Sequence, residues 1–101
     1  MYYILIVFTN ICTNSELLPE IAHDDILEII INLYNKDNMM KGYASTIIST
    51  FCRIMETRSI ILENKLIFKF VTDIYTSNPL NKKKLLFSIL TILNYSQDFH
   101  Q

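Results

Sequence analysis

The segment from Asp24 to Asn38, DDILEIIINLYNKDN, returns forty-one residues later as Lys65 to Pro79, KLIFKFVTDIYTSNP, and this internal echo narrows the folds open to the chain more than any other feature. A shift of 41 lays Ile67 on Ile26, Phe68 on Leu27, Phe70 on Ile29, Val71 on Ile30, Ile74 on Leu33 and Tyr75 on Tyr34, and an Asn/Ser/Asp tract closes each copy. Apolar residues spaced three and four apart mark a helix with one face turned inward. A period near forty residues carried by helices marks a stack of helical modules, each burying its apolar face against the next.

Strands are argued against by the scarcity of chain breakers. With one glycine, Gly42, and two prolines, Pro19 and Pro79, the chain lacks the turns of a sandwich or barrel. Its many Ile and Tyr residues are therefore read by their period and not by their strand propensity. Half of the 101 residues are apolar, enough to build the core of one small domain. Nine basic and ten acidic side chains leave a formal charge of -1, which exerts no general pull on nucleic acid or an anionic membrane. Cys12 and Cys52 have no metal-ligand spacing and are too few for a disulfide scaffold. They read as buried free thiols in a reducing compartment, the cytoplasm or nucleus.

The opening MYYILIVF looks like the apolar part of a signal peptide. No Lys or Arg precedes it, Thr9, Asn10, Thr13 and Asn14 follow it closely, and no small-residue cleavage pattern is present. It is also too short to span a bilayer, which takes about twenty residues. Whether the mature chain keeps Met1 to Phe8 separates this reading from a secreted or membrane-inserted peptide.

Taken in order, the pattern predicts an apolar helix over 2–13 and a short helix over 15–23 with Ser15 and Glu16 at its start. A middle helix follows over 26–35, with Asp24 and Asp25 at its positive end, and then a long helix over 39–55. The cycle repeats as helices over 57–64, 66–76 and 79–96, with Pro79 in the first turn of the last and 97–101 frayed.

Short, middle and long helices in each unit of about forty residues resemble the armadillo repeat, whose second helix has the form A-L-P-A-L-V-x-L-L and whose third ends near A-L-W-A-L-S-N-I-A. Ile26-Leu27-Glu28-Ile29-Ile30-Ile31-Asn32-Leu33-Tyr34 sits on the second-helix pattern, and Ile67-Phe68-Lys69-Phe70-Val71-Thr72-Asp73-Ile74-Tyr75 sits on it again. Ala44 to Cys52 is similar to the third-helix pattern, and Val7 to Cys12 to the tail of a preceding one. The resemblance implies an all-α chain, a right-handed α-solenoid of about two and a third repeats of three helices. It is divided as 1–14 (end of a repeat), 15–56, 57–97 and a tail at 98–101. A HEAT-like pair of helices per unit is the neighbouring alternative. The glycine that usually makes the turn between first and second helices is Asp25 in one copy and Leu66 in the other, which implies differently set turns.

The family also implies a function, a protein-protein interaction scaffold or adaptor holding a peptide or protein segment along the concave face of its third helices. The family's Trp and Asn positions carry over to Ile6 and Asn10, Thr46 and Thr50, and Phe87 and Thr91; a shift of three in the last helix substitutes Leu90 and Asn94. No Trp is present, so the stacking walls that would hold Lys and Arg stems are missing. Apolar residues crowd both ends of the chain, Tyr2 to Leu5 and Leu85 to Leu93, which implies self-association or docking through the terminal repeats.

The remaining features read as structural. Lys82-Lys83-Lys84 reads as a solvated helix face, with contact to phosphates or to an acidic partner as the alternative; three cations in a first turn oppose the helix dipole, a small cost if a partner offsets it. His23 beside Asp24 and Asp25 is a capping turn, and Asn94-Tyr95-Ser96 matches a glycosylation acceptor that matters only in a secreted chain. No P-loop, HExxH, paired CxxC, GxSxG or GxGxxG occurs, so neither catalysis nor a cofactor or metal is expected. The competing expectation is a small helical bundle, similar to the Bcl-2-like regulators, with a hydrophobic groove for one partner helix. Matching environments for Tyr34 and Tyr75 would favour the stack.

Overall fold

Seven α-helices follow one another in the computed structural model, which describes residues 2–14 and 16–99. They are α1 (Tyr2–Asn14), α2 (Leu18–Ile21), α3 (Asp24–Lys36), α4 (Lys41–Thr50), α5 (Met55–Glu63), α6 (Leu66–Ile74) and α7 (Pro79–Phe99). Two short 3-10 turns, Asn38–Met40 and Phe51–Arg53, flank α4, and no strand is present among the described residues. The expected helix starting at Ser15 has that residue outside the described ones; its remainder is the single turn α2, with Pro19 in the opening turn. Met1, His100 and Gln101 also lie outside, and α7 runs on to Phe99 past the expected end at Ser96.

Local chemistry sets the boundaries. Asn78 precedes α7, and its side-chain oxygen accepts from the Asn81 amide at 2.8 Å while Pro79 fills the first helical position. Asp24 and Asp25 fall inside the first turn of α3, where they meet its dipole, and His23 holds the cap position without a side-chain bond. The long helix expected over 39–55 stops at Thr50. Thr57 Oγ1 donates to the Phe51 carbonyl and Arg58 Nε to the Cys52 carbonyl, both at 2.6 Å, so the freed carbonyls are satisfied and Ile54 turns extended. The α5–α6 turn is made by Lys65 at φ 54, a left-handed residue where no glycine stands, whereas the α2–α3 link is extended at His23.

Packing is organised by α4, which lies between α1 and α7 and against α3, while α6 packs on α7. Eight of its ten residues are buried, from Gly42 to Thr50 with Tyr43 half-buried. The four buried hydroxyls of this helix are satisfied within it: Ser45 and Thr46 donate to the Gly42 carbonyl at 2.8 and 2.9 Å, Ser49 and Thr50 to the Thr46 carbonyl at 2.8 and 2.9 Å. Short side chains let α7 approach closely. Gly42 N donates to Asn81 Oδ1 at 3.0 Å, Asn81 Nδ2 donates to the Asn38 carbonyl at 2.8 Å, and Ser88 Oγ lies 3.1 Å from Ser45 Oγ.

The long helices keep the sequence period. Met40, Ala44, Ile47, Ile48 and Phe51 are buried, and so are Asn81, Leu85, Ser88, Ile89 and Ile92, each forty-one residues on. The middle helices do not. At a shift of 41, fully buried Phe70 would match exposed Ile29, and Tyr34, 1% exposed, would match Tyr75, 82% exposed. A shift of 40 restores agreement, placing Phe70 on Ile30, Ile67 on Leu27 and Ile74 on Tyr34. The expected equivalence of Tyr34 and Tyr75 is therefore corrected by one residue. The physical reason is which way each ring faces: the Tyr34 ring lies 4.9 Å from that of Phe70, whereas Tyr75 falls just past the end of α6 and outside the inward face that Phe70 marks.

Tyr34 also joins the two copies through polar contacts. Its hydroxyl donates to Asp73 Oδ2 at 2.7 Å, and Lys41 Nζ donates to the Tyr34 carbonyl at 3.2 Å and pairs with Asp73 at 3.3 Å. The ammonium also stands 4.2 Å from the centre of the Tyr34 ring. Burial, then the bond to Asp73 and its charge, push the phenol of Tyr34 far above its ordinary range, so it is held as a neutral donor.

Candidate binding groove

Side by side, α1, α4 and α7 frame a cleft of about 390 Å³. Thr46 of α4 lies between Thr9 and Thr13 of α1 on one side and Leu80, Lys83, Lys84 and Phe87 of α7 on the other. Leu80 and Phe87 leave much of their apolar surface to solvent, and Lys84 Nζ stands 4.5 Å from the centre of the Tyr43 ring. Thr9, Thr13 and Thr46 donate their hydroxyl hydrogens to the carbonyls of Leu5, Thr9 and Gly42 at 2.7, 3.0 and 2.9 Å. Thr9 and Thr46 are buried and Thr13 is exposed, so the Thr13 oxygen keeps lone pairs open to a hydrogen bond from a visitor.

Of the six residues expected to line a groove, Thr46 and Phe87 meet here. Thr50 and Thr91 follow one turn further along the same two helices, Thr50 buried and Thr91 half-buried with its hydroxyl on the Phe87 carbonyl at 2.9 Å. The burial register of α7 is that of Phe87 and Thr91, not of Leu90 and Asn94. In α1 the register moves. Leu5, Thr9 and Cys12 are buried where α4 and its following turn bury Ala44, Ile48 and Phe51, a shift of 39, so Val7 and Ile11 stand at the places of Thr46 and Thr50. Ile6 and Asn10 are one residue away from those places, half-buried and exposed respectively.

Sequence reasoning missed Thr9, Thr13 and Leu80, and put Lys83 and Lys84 on a solvated face first and against an acidic partner second. Threonines four apart in a helix without a single charge, followed downstream by a lysine run beginning two residues after Leu80, were the available signal.

Two other concave surfaces bear on function. On the opposite side a cleft of about 430 Å³ lies between α3, α5 and α6, with Asp24, Glu28 and Lys69 among its lining residues. Along α1, Tyr3, Ile4, Val7, Phe8 and Ile11 bound a shallow apolar hollow. Exposed apolar side chains also line α7 at Leu86, Leu90 and Leu93, as the crowding of apolar residues at both termini led one to expect.

No three His, Cys, Asp or Glu side chains gather into a metal-binding cluster among the described residues. Both cysteines are buried and free, and burial pushes the Cys12 thiol up to about 11 and the Cys52 thiol up to about 12, the latter eased a little by Arg58. Cys12 shares the register of Phe51, not of Cys52. No described helix is long and apolar enough to cross a membrane. Comparison with protein-family models, with curated proteins and with solved structures returns no match to this chain.

Proposed function

We propose that the chain is a non-catalytic interaction scaffold, a right-handed α-solenoid of armadillo type, and that the face shared by α1, α4 and α7 receives an extended segment of a partner protein. The observation that carries this reading is the placement of α4 between α1 and α7, which brings side chains of all three to one cleft. Support also comes from the forty-one-residue burial register that α4 and its flanking turns share with α7. The cleft offers what such a segment needs: apolar surface at Leu80 and Phe87, and a hydroxyl acceptor for a peptide N–H group. Free buried thiols suit a reducing compartment, the cytoplasm or nucleus. The exposed stripes of α1 and α7 are surfaces for self-association end to end.

The test is affinity capture with the parent chain, with a Phe87→Ala/Thr91→Ala variant and with a Glu28→Ala variant in the opposite cleft. Capture is lost in the first variant and kept in the second; unchanged capture by the first contradicts the reading. A helical bundle with a groove for one partner helix draws support from the unequal burial of Tyr34 and Tyr75. At a shift of 40 Tyr34 falls on half-buried Ile74, which narrows the inequality and supports the stack.

A further inference from the structure

The formal charge of -1 hides a partition. Nine of the ten acidic residues stand outside α1, α4 and α7, and the tenth, Asp98, is next to the last residue of α7. Those three helices carry instead Lys41, Lys82, Lys83 and Lys84. Lys41 is engaged with Asp73, but Lys83 and Lys84 line the cleft, and none of its lining residues is acidic.

We infer that the segment this groove takes is acidic, with carboxylates meeting Lys83 and Lys84 and an apolar side chain lying against Leu80 and Phe87. The inference rests on the reading of this face as a groove and names the chemistry of its occupant. Three independent features converge on it. The cleft is cationic without a counter-charge of its own, so a basic segment is repelled and an acidic one attracted. The lysines stand near the positive end of a 21-residue helix, an arrangement unfavourable in the free chain that an arriving anion relieves. Leu80, Lys83, Lys84 and Phe87 recur at helical spacing on one side of α7, so charge and apolar surface are presented together, which selects a peptide over a purely polyanionic chain. A backbone N–H of the segment is received by the hydroxyl oxygen of exposed Thr13, whose hydrogen is already committed to its own helix.

The experiment uses three fluorescein-labelled nonapeptide pools that share randomised apolar and serine positions and differ only in carrying Glu, Gln or Lys at four fixed places. Anisotropy titration with the full chain is expected to rank them Glu, Gln, Lys, with the Glu pool roughly tenfold tighter than the Gln pool and the advantage shrinking as salt rises. Lys83→Glu/Lys84→Glu reverses the order, Lys83→Gln/Lys84→Gln levels it, and Lys69→Glu in the opposite cleft leaves it unchanged. Equal binding of the Glu and Gln pools, or preference for the Lys pool, overturns the charge inference while the groove stands. No binding of any pool, with or without binding of phosphatidylserine vesicles or an oligonucleotide, overturns groove and inference together.

Discussion

Helices α4 and α7 turn the same register positions inward, yet one is closed on both sides and the other is open. Where α4 has Gly42, Ser45 and Ser49, all buried, α7 has Lys83, Leu86 and Leu90, all exposed, each forty-one residues on. A helix with neighbours on two sides needs short side chains, because axes approach only as closely as the side chains between them allow. The outermost helix is free of that constraint and carries large apolar residues that another surface can cover. The sequence echo thus reports which side of a helix turns inward, while burial reports how many neighbours that helix has.

The contrast breaks most easily at Phe70. Phe70→Ala removes a fully buried ring packed on Tyr34 and costs about 3–5 kcal/mol, enough to unfold much of so small a chain, whereas Phe68→Ala, at a site 66% exposed, stays within about 0.5 kcal/mol. Urea denaturation followed by circular dichroism measures both, and equal losses would mean that α6 is turned differently. Gly42→Ala comes next. A Cβ there meets Asn81 Oδ1 at 2.6 Å and Lys84 Cδ at 3.0 Å, so the Asn81 side chain must give up its bond to the Gly42 amide or α7 must shift, at about 1–3 kcal/mol; Lys83→Ala, the counterpart in the open helix, is nearly silent in the same assay.

The thiols sharpen the comparison through pH. Their folded pKa values lie above the unfolded value near 9, so the unfolded chain ionises first. Their contribution is whole below about pH 9 and declines as pH rises towards about 11 for Cys12 and about 12 for Cys52, a loss of about 3 kcal/mol at the first thiol and about 4 kcal/mol at the second. The urea midpoint is expected to fall across this window and to fall less in a Cys12→Ala/Cys52→Ala variant; equal slopes would place the thiols in water. Tyr34→Phe deletes the donor to Asp73 and costs about 1–2 kcal/mol, while Tyr75→Phe changes nothing measurable. The smallest effect is a gain: Lys65→Gly relieves the left-handed turn and raises stability by about 0.5–1 kcal/mol, which thermal melts resolve.

Helix positions were legible because three-four spacing, Pro79 and the Asp24-Asp25 pair mark helices by local chemistry. The one-residue slip of the middle helices was not. Both α3 and α6 are apolar at nearly every position from Ile26 to Ile31 and from Leu66 to Val71, so shifts of 40 and 41 fit the pattern alike, and only the element that covers each face decides. The early end of α4 depends on Thr57 and Arg58 reaching back six residues to the Phe51 and Cys52 carbonyls, a contact without a local signature. In the groove, Thr46 and Phe87 followed from the repeat, but Thr9 and Thr13 looked like ordinary helix residues. Lys83 and Lys84 were read as a solvated face because the whole-chain charge, near zero, concealed that the long helices hold almost no acids.

Everything functional depends on which face meets the partner. An amide NMR titration of the chain with the Glu-bearing peptide pool is expected to move the signals of Thr9, Thr13, Thr46, Lys83, Lys84 and Phe87 while those of Asp24, Glu28, Ile60 and Lys69 stay still. Movement confined to the second set would put the partner between α3, α5 and α6 and contradict the groove.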